Sequence, residues 1–400
     1  MTRDRVVVLG SNFGGLTAAI AIHDELDGDV DVKVISPSDH FLFNPSLIWL
    51  PFGKRSAEDI TVPVEPVFSE HGDEFVHEPA TELRLDMNRV VTSSGTHDYD
   101  HLVIATGFRT DDDVVPGLAE NTYNIATLEG ATSAGVGWRK FLDYPGDIVV
   151  GATQSAGCFG AAYEYLFNVS HQLRKNGLKR QVKLTYVSPE PELGHFGIGG
   201  LKHGEGLLNM FLKKEKIDAV LDTSIDHVDD GRIVLDDGNN LDFAYSMVMP
   251  PFIGQEVIAK TTEISDTKGY IPVRDTYQVL PYDNVYAVGA AAAVEVPWHT
   301  SNPVGIPKTG FPTEQQAHIA ATNIVSQVRG EEPSERKTFG DIAAVCVMDA
   351  GNNGVIILAD KMLPPRKHSV MIPGPQAHAM KIAFEKYFLW KTRHGNVSLP

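Results

Sequence analysis

The chain has 400 residues, 42% apolar and 22% charged, which excludes a disordered segment and is too long for one small domain. A formal net charge of −18 excludes the basic surface of a nucleic-acid binder, and two cysteines exclude a disulfide framework or a four-cysteine metal site. The charge is uneven: Lys361–Pro400 holds seven Lys or Arg against Glu385, so the tail is +6 and the other 360 residues sum to −24.

The first unit reads as strand, glycine turn, helix: Val6–Leu9, then Gly10-Ser11-Asn12-Phe13-Gly14-Gly15, then Leu16–Ile22, with a second strand at Val32–Ser36. Gly10 permits the tight bend, Gly14 and Gly15 permit close packing of helix on strand, and helix-start N–H groups can cradle a pyrophosphate. Asn12 takes a position usually held by glycine and is expected to tolerate left-handed dihedrals there. No acid ends the second strand, so Ser36 or Asp39 is left to hold a ribose. Segment 60–105 reads as short strands ending in Ala105-Thr106-Gly107.

A second strand, turn and helix runs from Ile148-Val149-Val150-Gly151 into Cys158 and Phe159–Glu164, with further strands expected at Val182–Val187 and Val228–Leu235. This turn lacks G-x-G-x-x-G and its next strand ends in Ser188-Pro189, which argues against a nicotinamide dinucleotide site. Cys158 instead falls at the start of a helix, where the dipole and free N–H groups favour a thiolate. A buried strand returns at Val285–Gly289, followed by Ala290. The charged stretch Gly330–Lys337 reads as a loop leading to a separate C-terminal unit that contains Cys346. No run approaches the roughly 18 apolar residues needed to span a bilayer. The strand pattern beginning at Arg5 leaves no room for a cleavable signal peptide.

The glycine turn, the Ala105-Thr106-Gly107 strand end and the strand before Gly289, in that order, are similar to those of two-dinucleotide-domain FAD flavoproteins. More specifically, Ser155–Glu164, Leu193–Gly200, Val304–Gly310, the segment around Cys346 and Ala383–Lys391 resemble the sulfide:quinone oxidoreductases over nearly the whole chain. The resemblance implies an α/β fold of two Rossmann-like, glutathione-reductase-like dinucleotide-binding domains with a C-terminal quinone- and membrane-facing unit. The expected boundaries are 1–112 and 263–325 for the FAD domain, 113–262 for the second domain without an NAD site, and 326–400 for the last unit.

It also implies roles. Cys158 and Cys346 would form the redox pair that oxidises hydrosulfide, bridged by a disulfide or sulfur chain at rest. Glu164 and His195 would handle protons or sulfide, and Lys308 would stabilise reduced flavin. Gly10, Asn12, Gly14, Gly15, Ser36, Ala105, Thr106, Gly107, Gly289, Ala290, Lys308, Thr309 and Gly310 would hold FAD. Many relatives carry a third cysteine where this chain has Ala126, so the flavin is expected to be non-covalent. Val345, Phe384, Tyr387 and Phe388 would meet a membrane quinone, with Lys381, Lys386, Lys391 and Arg393 on anionic lipid phosphates. A peripheral membrane location is implied; no metal or nucleic-acid partner is expected, and a homo-oligomer is compatible with the chain. Competing readings are a type II NADH:quinone dehydrogenase and a flavocytochrome sulfide dehydrogenase subunit.

Overall fold

A computed structural model describes residues 3–26 and 28–398. In chain order, β1 (Asp4–Leu9), α1 (Phe13–Leu26) and β2 (Val30–Ser36) form the first βαβ unit, followed by β3 (Glu74–His77) and β4 (His101–Ile104). Next come β5 (Ile148–Ala152), α2 (Phe159–Lys175), β6 (Leu184–Val187), β7 (Ile217–Val220) and β8 (Tyr245–Met249). The chain closes with β9 (Val285–Ala287), α3 (Gly310–Val328), β10 (Ala344–Asp349), β11 (Gly354–Ala359), β12 (Ser369–Pro373) and α4 (Pro375–Arg393).

Two parallel sheets carry the chemistry. The first has the order β9–β4–β1–β2–β3, and the second β7–β6–β5–β8. Their strands are continuous apolar runs, such as Val6-Val7-Val8-Leu9, because helices and loops cover both faces of a parallel sheet. Within the first sheet Leu9 pairs Ile35 on one side and Ile104 on the other, and Ile104 pairs Ala287. The carboxyl ends of these strands thus meet at one point, where ligands of open α/β sheets bind.

The second sheet corrects one expected strand. Val228–Leu235 is not a member of it but the turn of an antiparallel hairpin, Ile225–Asp229 with Arg232–Leu235, reversed at Gly231 with φ +74°. The neighbours of β5 and β6 are instead β8 and β7.

The C-terminal unit shares its core with the second sheet's layer. Its antiparallel sheet β10–β11–β12 places Cys346 opposite Ile357, which pairs Met371. Ala344, Met348, Val355, Ile357 and Ala359 share one apolar cluster with Phe159, Tyr163, Leu166 and Tyr186 of the second sheet's layer. Period-two alternation makes this possible: Met348 turns to the shared core while Val347 turns to the opposite face, beneath Ala377 of α4. The two cysteine-bearing elements, α2 and β10, are therefore packed against each other.

Candidate functional site: one cavity joining three chemistries

The site begins at the first glycine turn. Gly10 has φ +104°, and a Cβ there would lie 2.4 Å from the Ala105 carbonyl; at Gly15 it would lie 1.8 Å from the Gly10 carbonyl. Neither position admits a side chain without moving backbone, so α1 starts hard against β1 and β4 and leaves its first N–H groups open. Asn12 does not adopt the left-handed dihedrals expected of it. Its side chain instead accepts from the Leu42 N–H at 3.4 Å and donates to Asn44 Oδ1 at 3.1 Å, holding the next loop over the turn. Ser36 lines the cavity with its Oγ 2.9 Å from Ser11 Oγ, whereas Asp39 pairs with His40 at 2.6 Å and does not line it. Gly289, with φ +69°, bends the chain toward the same void, and its N–H donates to Gln316 Oε1 at 2.5 Å.

From this cradle a single cavity of about 980 Å³ extends to both cysteines and on to the last helix. That volume lies at the upper end of the range for small-molecule and cofactor sites. Gly10, Asn12, Gly14, Ser36, Ala105, Thr106, Gly107, Gly289, Ala290, Lys308, Thr309 and Gly310 all line it. Gly15 lies beneath the turn rather than on the wall. A long, kinked ligand with an anionic middle fits a cradle of open amides continuous with an apolar chamber. Ala126 also lines the chamber, so no thiol stands there.

Cys158 is the N-cap of α2 and Cys346 lies mid-β10; both are free thiols on the same cavity wall. The expected lowering of the Cys158 pKa does not occur. Burial pushes its thiol up, the Ala161 and Gly160 N–H groups pull it down less strongly, and the Glu164 charge adds to the rise. Cys346 faces the void but sits deep in the protein, and burial together with Glu164 pushes its thiol up to about 12.

Glu164 is buried on α2 beside both cysteines. Lys381 of α4 reaches its carboxylate at 2.8 Å, and the Asp349 N–H donates to it at 2.7 Å. Burial raises its pKa to about 7, against the pull of Lys381. Lys381 is the residue that the sequence misplaced. It lies 5% exposed inside the protein and not at a lipid surface, and no spacing signal links residues so far apart in the chain.

Lys308 lines the cavity, donates to the Ala292 carbonyl at 2.7 Å and stacks over the Tyr270 ring at 4.0 Å. Burial lowers its pKa to about 7, so an anion placed in the chamber would draw it back to the charged form. His195 does not line the cavity; it packs edge-on against Trp298 at 4.8 Å between ring centroids.

At the far end, Val345, Phe384 and Phe388 line the cavity, and Phe388 packs 5.4 Å from Phe43 and 5.8 Å from Phe13. Tyr387 does not reach it, because its hydroxyl donates to the Ser398 carbonyl at 3.1 Å. Lys391 is likewise removed from any lipid contact by a buried pair with Glu314 at 2.7 Å. Of the four expected lipid cations, Lys386 and Arg393 are exposed.

The sequence matches the pyridine nucleotide-disulphide oxidoreductase family over residues 4–321. The sulfide-quinone reductase of Aquifex aeolicus is 34% identical, with 98% of this chain and 92% of that protein covered. The chain belongs to the sulfide:quinone oxidoreductase family. The X-ray structure of the Aquifex aeolicus sulfide:quinone oxidoreductase superposes with a TM-score of 0.95 at 33% identity, covering 99% of this chain and 93% of that one. The type II NADH:quinone oxidoreductase of Staphylococcus aureus is 24% identical, covering 92% of this chain and 93% of that protein. FAD is the cofactor. Among the described residues no cluster of His, Cys, Asp or Glu is arranged to hold a metal.

Proposed function

We propose that this protein oxidises hydrosulfide at Cys158 and Cys346 and delivers the electrons through FAD to a quinone. The observation that carries the reading is the single cavity, which joins the Gly10 cradle, both thiols and Phe384. Residues 1–112 and 263–325 hold a non-covalent flavin, 113–262 carry Cys158, and 326–400 supply Cys346 and the quinone wall.

In the oxidised protein Cys158 and Cys346 are bridged. Hydrosulfide attacks the Cys158 sulfur, the bridge S–S bond breaks, and Cys158 persulfide and Cys346 thiolate form. Glu164 takes the persulfide proton, for which a near-neutral carboxyl at this position is suited. FAD, when bound in the Gly10–Gly14 cradle, would supply a two-electron acceptor: as the Cys158 persulfide anion and the Cys346 thiolate join in a new S–S bond, giving a three-sulfur bridge, the two electrons released would go to the flavin and from there to quinone. Lys308 supplies positive charge at the cradle's edge. Phe384 and Val345 give the quinone a flat apolar wall.

The second glycine turn supports sulfide over NADH. The Ser155 N–H donates to the Pro303 carbonyl at 2.7 Å, and the Lys308 N–H to the Gly157 carbonyl at 3.2 Å, so backbone covers the turn. Glu190, the nearest acid after β6, is buried and accepts from Tyr163, Tyr186, Ser188 and the Phe196 N–H, leaving nothing to offer a ribose. Sulfide added anaerobically is expected to bleach the bound flavin, and quinone to restore it, while NADH does neither. Phe384→Ala should raise the quinone KM roughly tenfold and leave the sulfide-driven bleaching unchanged. Bleaching by NADH and not by sulfide would overturn the reading.

No helix among the described residues is long and apolar enough to cross a membrane. A surface contact is supported by exposed Leu358, Val370 and Ile372 on the sheet that carries Val345, and by exposed Trp390, Lys386 and Arg393 on α4. Sedimentation with anionic vesicles and not with neutral ones is the expected result; equal binding to both would remove the electrostatic part.

A further inference from the structure

Lys308 carries its charge on a long side chain, and two groups hold that charge at the chamber wall. Its Nζ donates to the Ala292 carbonyl at 2.7 Å and lies 4.0 Å from the centre of the Tyr270 ring. An ammonium over the face of an aromatic ring is attracted by the ring's negative quadrupole, most strongly where water is displaced. Burial works the other way and disfavours the charged form, while the Asp266 carboxylate favours it. Asp266 Oδ1 accepts the Lys268 N–H at 2.8 Å and the Tyr270 N–H at 2.9 Å, so it also holds the turn that delivers the ring.

Tyr270 is not on the cavity wall itself, and the backbone on both sides of it is fixed. The Ile271 N–H donates to the Ala291 carbonyl at 2.9 Å, and the Ala293 N–H to the Ile271 carbonyl at 2.8 Å. The ring and the Ala292 carbonyl therefore come from two segments paired at Ile271 and Ala292. On the other side the Gly254 N–H donates to the Lys268 carbonyl at 2.8 Å, and a Cβ at Gly254 would lie 1.7 Å from the Gly269 carbonyl. The Tyr270 hydroxyl donates to the Phe252 carbonyl. The Phe252 ring lines the cavity, stacked on Phe108 at 3.7 Å between centroids. The main chain of Lys308 is held separately, by its N–H on the Gly157 carbonyl at 3.2 Å. The strap thus brings the lysine to the chamber, and Tyr270 with Ala292 sets where its ammonium stops.

We propose that Tyr270 is a positioning residue for the flavin: its ring face and the Ala292 carbonyl form a cup that keeps the Lys308 ammonium at the cavity wall, so that bound FAD accepts electrons more readily. Negative charge gained in the cavity is favoured by an ammonium fixed beside it. Without the ring the ammonium loses both its place and part of its compensation for burial, and reduction becomes harder. This effect rests on Lys308 being the charge that favours reduced flavin; the cup around the ammonium is in the structure itself.

The readout is the equilibrium between the flavin-loaded protein and a redox dye of known potential, with FAD content checked by absorbance. Tyr270→Leu is expected to shift that equilibrium toward oxidised flavin by roughly tenfold. Tyr270→Phe keeps the ring and should stay close to the unaltered protein. Pentafluorophenylalanine at position 270 keeps the ring's shape but reverses the charge of its face, so it should follow Tyr270→Leu even where leucine disturbs the fold. In a Lys308→Met chain, none of these changes should move the equilibrium further. A Tyr270→Leu shift of the same size with and without Lys308 would overturn the proposal and leave Tyr270 a packing residue. So would phenylalanine and pentafluorophenylalanine giving the same equilibrium. If Lys308→Met itself leaves the equilibrium unchanged, the role of Lys308 at the flavin fails and the proposal falls with it.

Discussion

Cys346→Ser is expected to purify yellow and to lose sulfide-driven flavin bleaching by about a thousandfold or more. The flavin is retained because its cradle is built from the backbone at Gly10, Gly14 and Gly289, none of which touches β10. The rate is lost because a serine hydroxyl forms no S–S bond, so no thiolate is released when hydrosulfide arrives. The pH dependence of the unaltered protein follows from Glu164. With its pKa raised to about 7, the carboxyl is already protonated below that value and cannot take the persulfide proton, so the rate falls on the acid side. Stopped-flow absorbance of the flavin after anaerobic mixing with sulfide measures both effects. A Cys346→Ser protein that bleaches at the unaltered rate would show that electrons leave Cys158 by another route.

Lys381→Met is expected to cost about 3–5 kcal/mol of stability, because it strands Glu164 as a buried charge with no cation. The sign of its pH dependence is fixed. A carboxyl whose folded pKa lies above its unfolded value loses stability as pH rises between the two, and removing Lys381 pushes the folded value higher still. The loss should therefore be small near about pH 5, where Glu164 is neutral, and largest near about pH 9. Adding Glu164→Gln to the same chain should recover most of it, since the partner then carries no charge. Urea unfolding of the unaltered protein and the two variants at both pH values is the measurement. A pH-independent loss that Glu164→Gln leaves in place would mean that Lys381 matters only through packing of its stem.

What could be read from the sequence was the chemistry that depends on neighbours in the chain. The glycine turn, the Ala105-Thr106-Gly107 strand end and the bend at Gly289 are local devices, and each lines the cavity where spacing placed it. Cys158 and Cys346 came together through resemblance, since no periodicity brings mid-β10 against the start of α2. Ion pairs between distant segments left no trace. Lys381 and Lys391 read as a cationic helix face, yet each neutralises an acid hundreds or tens of residues away and turns inward. The same blindness placed Tyr387 in the quinone wall, where helical spacing alone allowed it, and His195 at the sulfide site. The expected low Cys158 pKa weighed the helix start and omitted burial, which is the larger effect.

The backbone that covers the second glycine turn is the backbone that carries Lys308. Residues 303–308 bond to Ser155 at one end and Gly157 at the other, and Gly305 sits so close that a Cβ there would meet the Ala156 carbonyl at 2.5 Å. A nicotinamide dinucleotide could reach the turn only by lifting this segment, and lifting it would withdraw Lys308 from the chamber. Use of a nicotinamide dinucleotide at this turn would thus call for a different path of residues 303–308. Point substitutions that placed glycines in the turn would not give use of NADH while residues 303–308 keep this path over it.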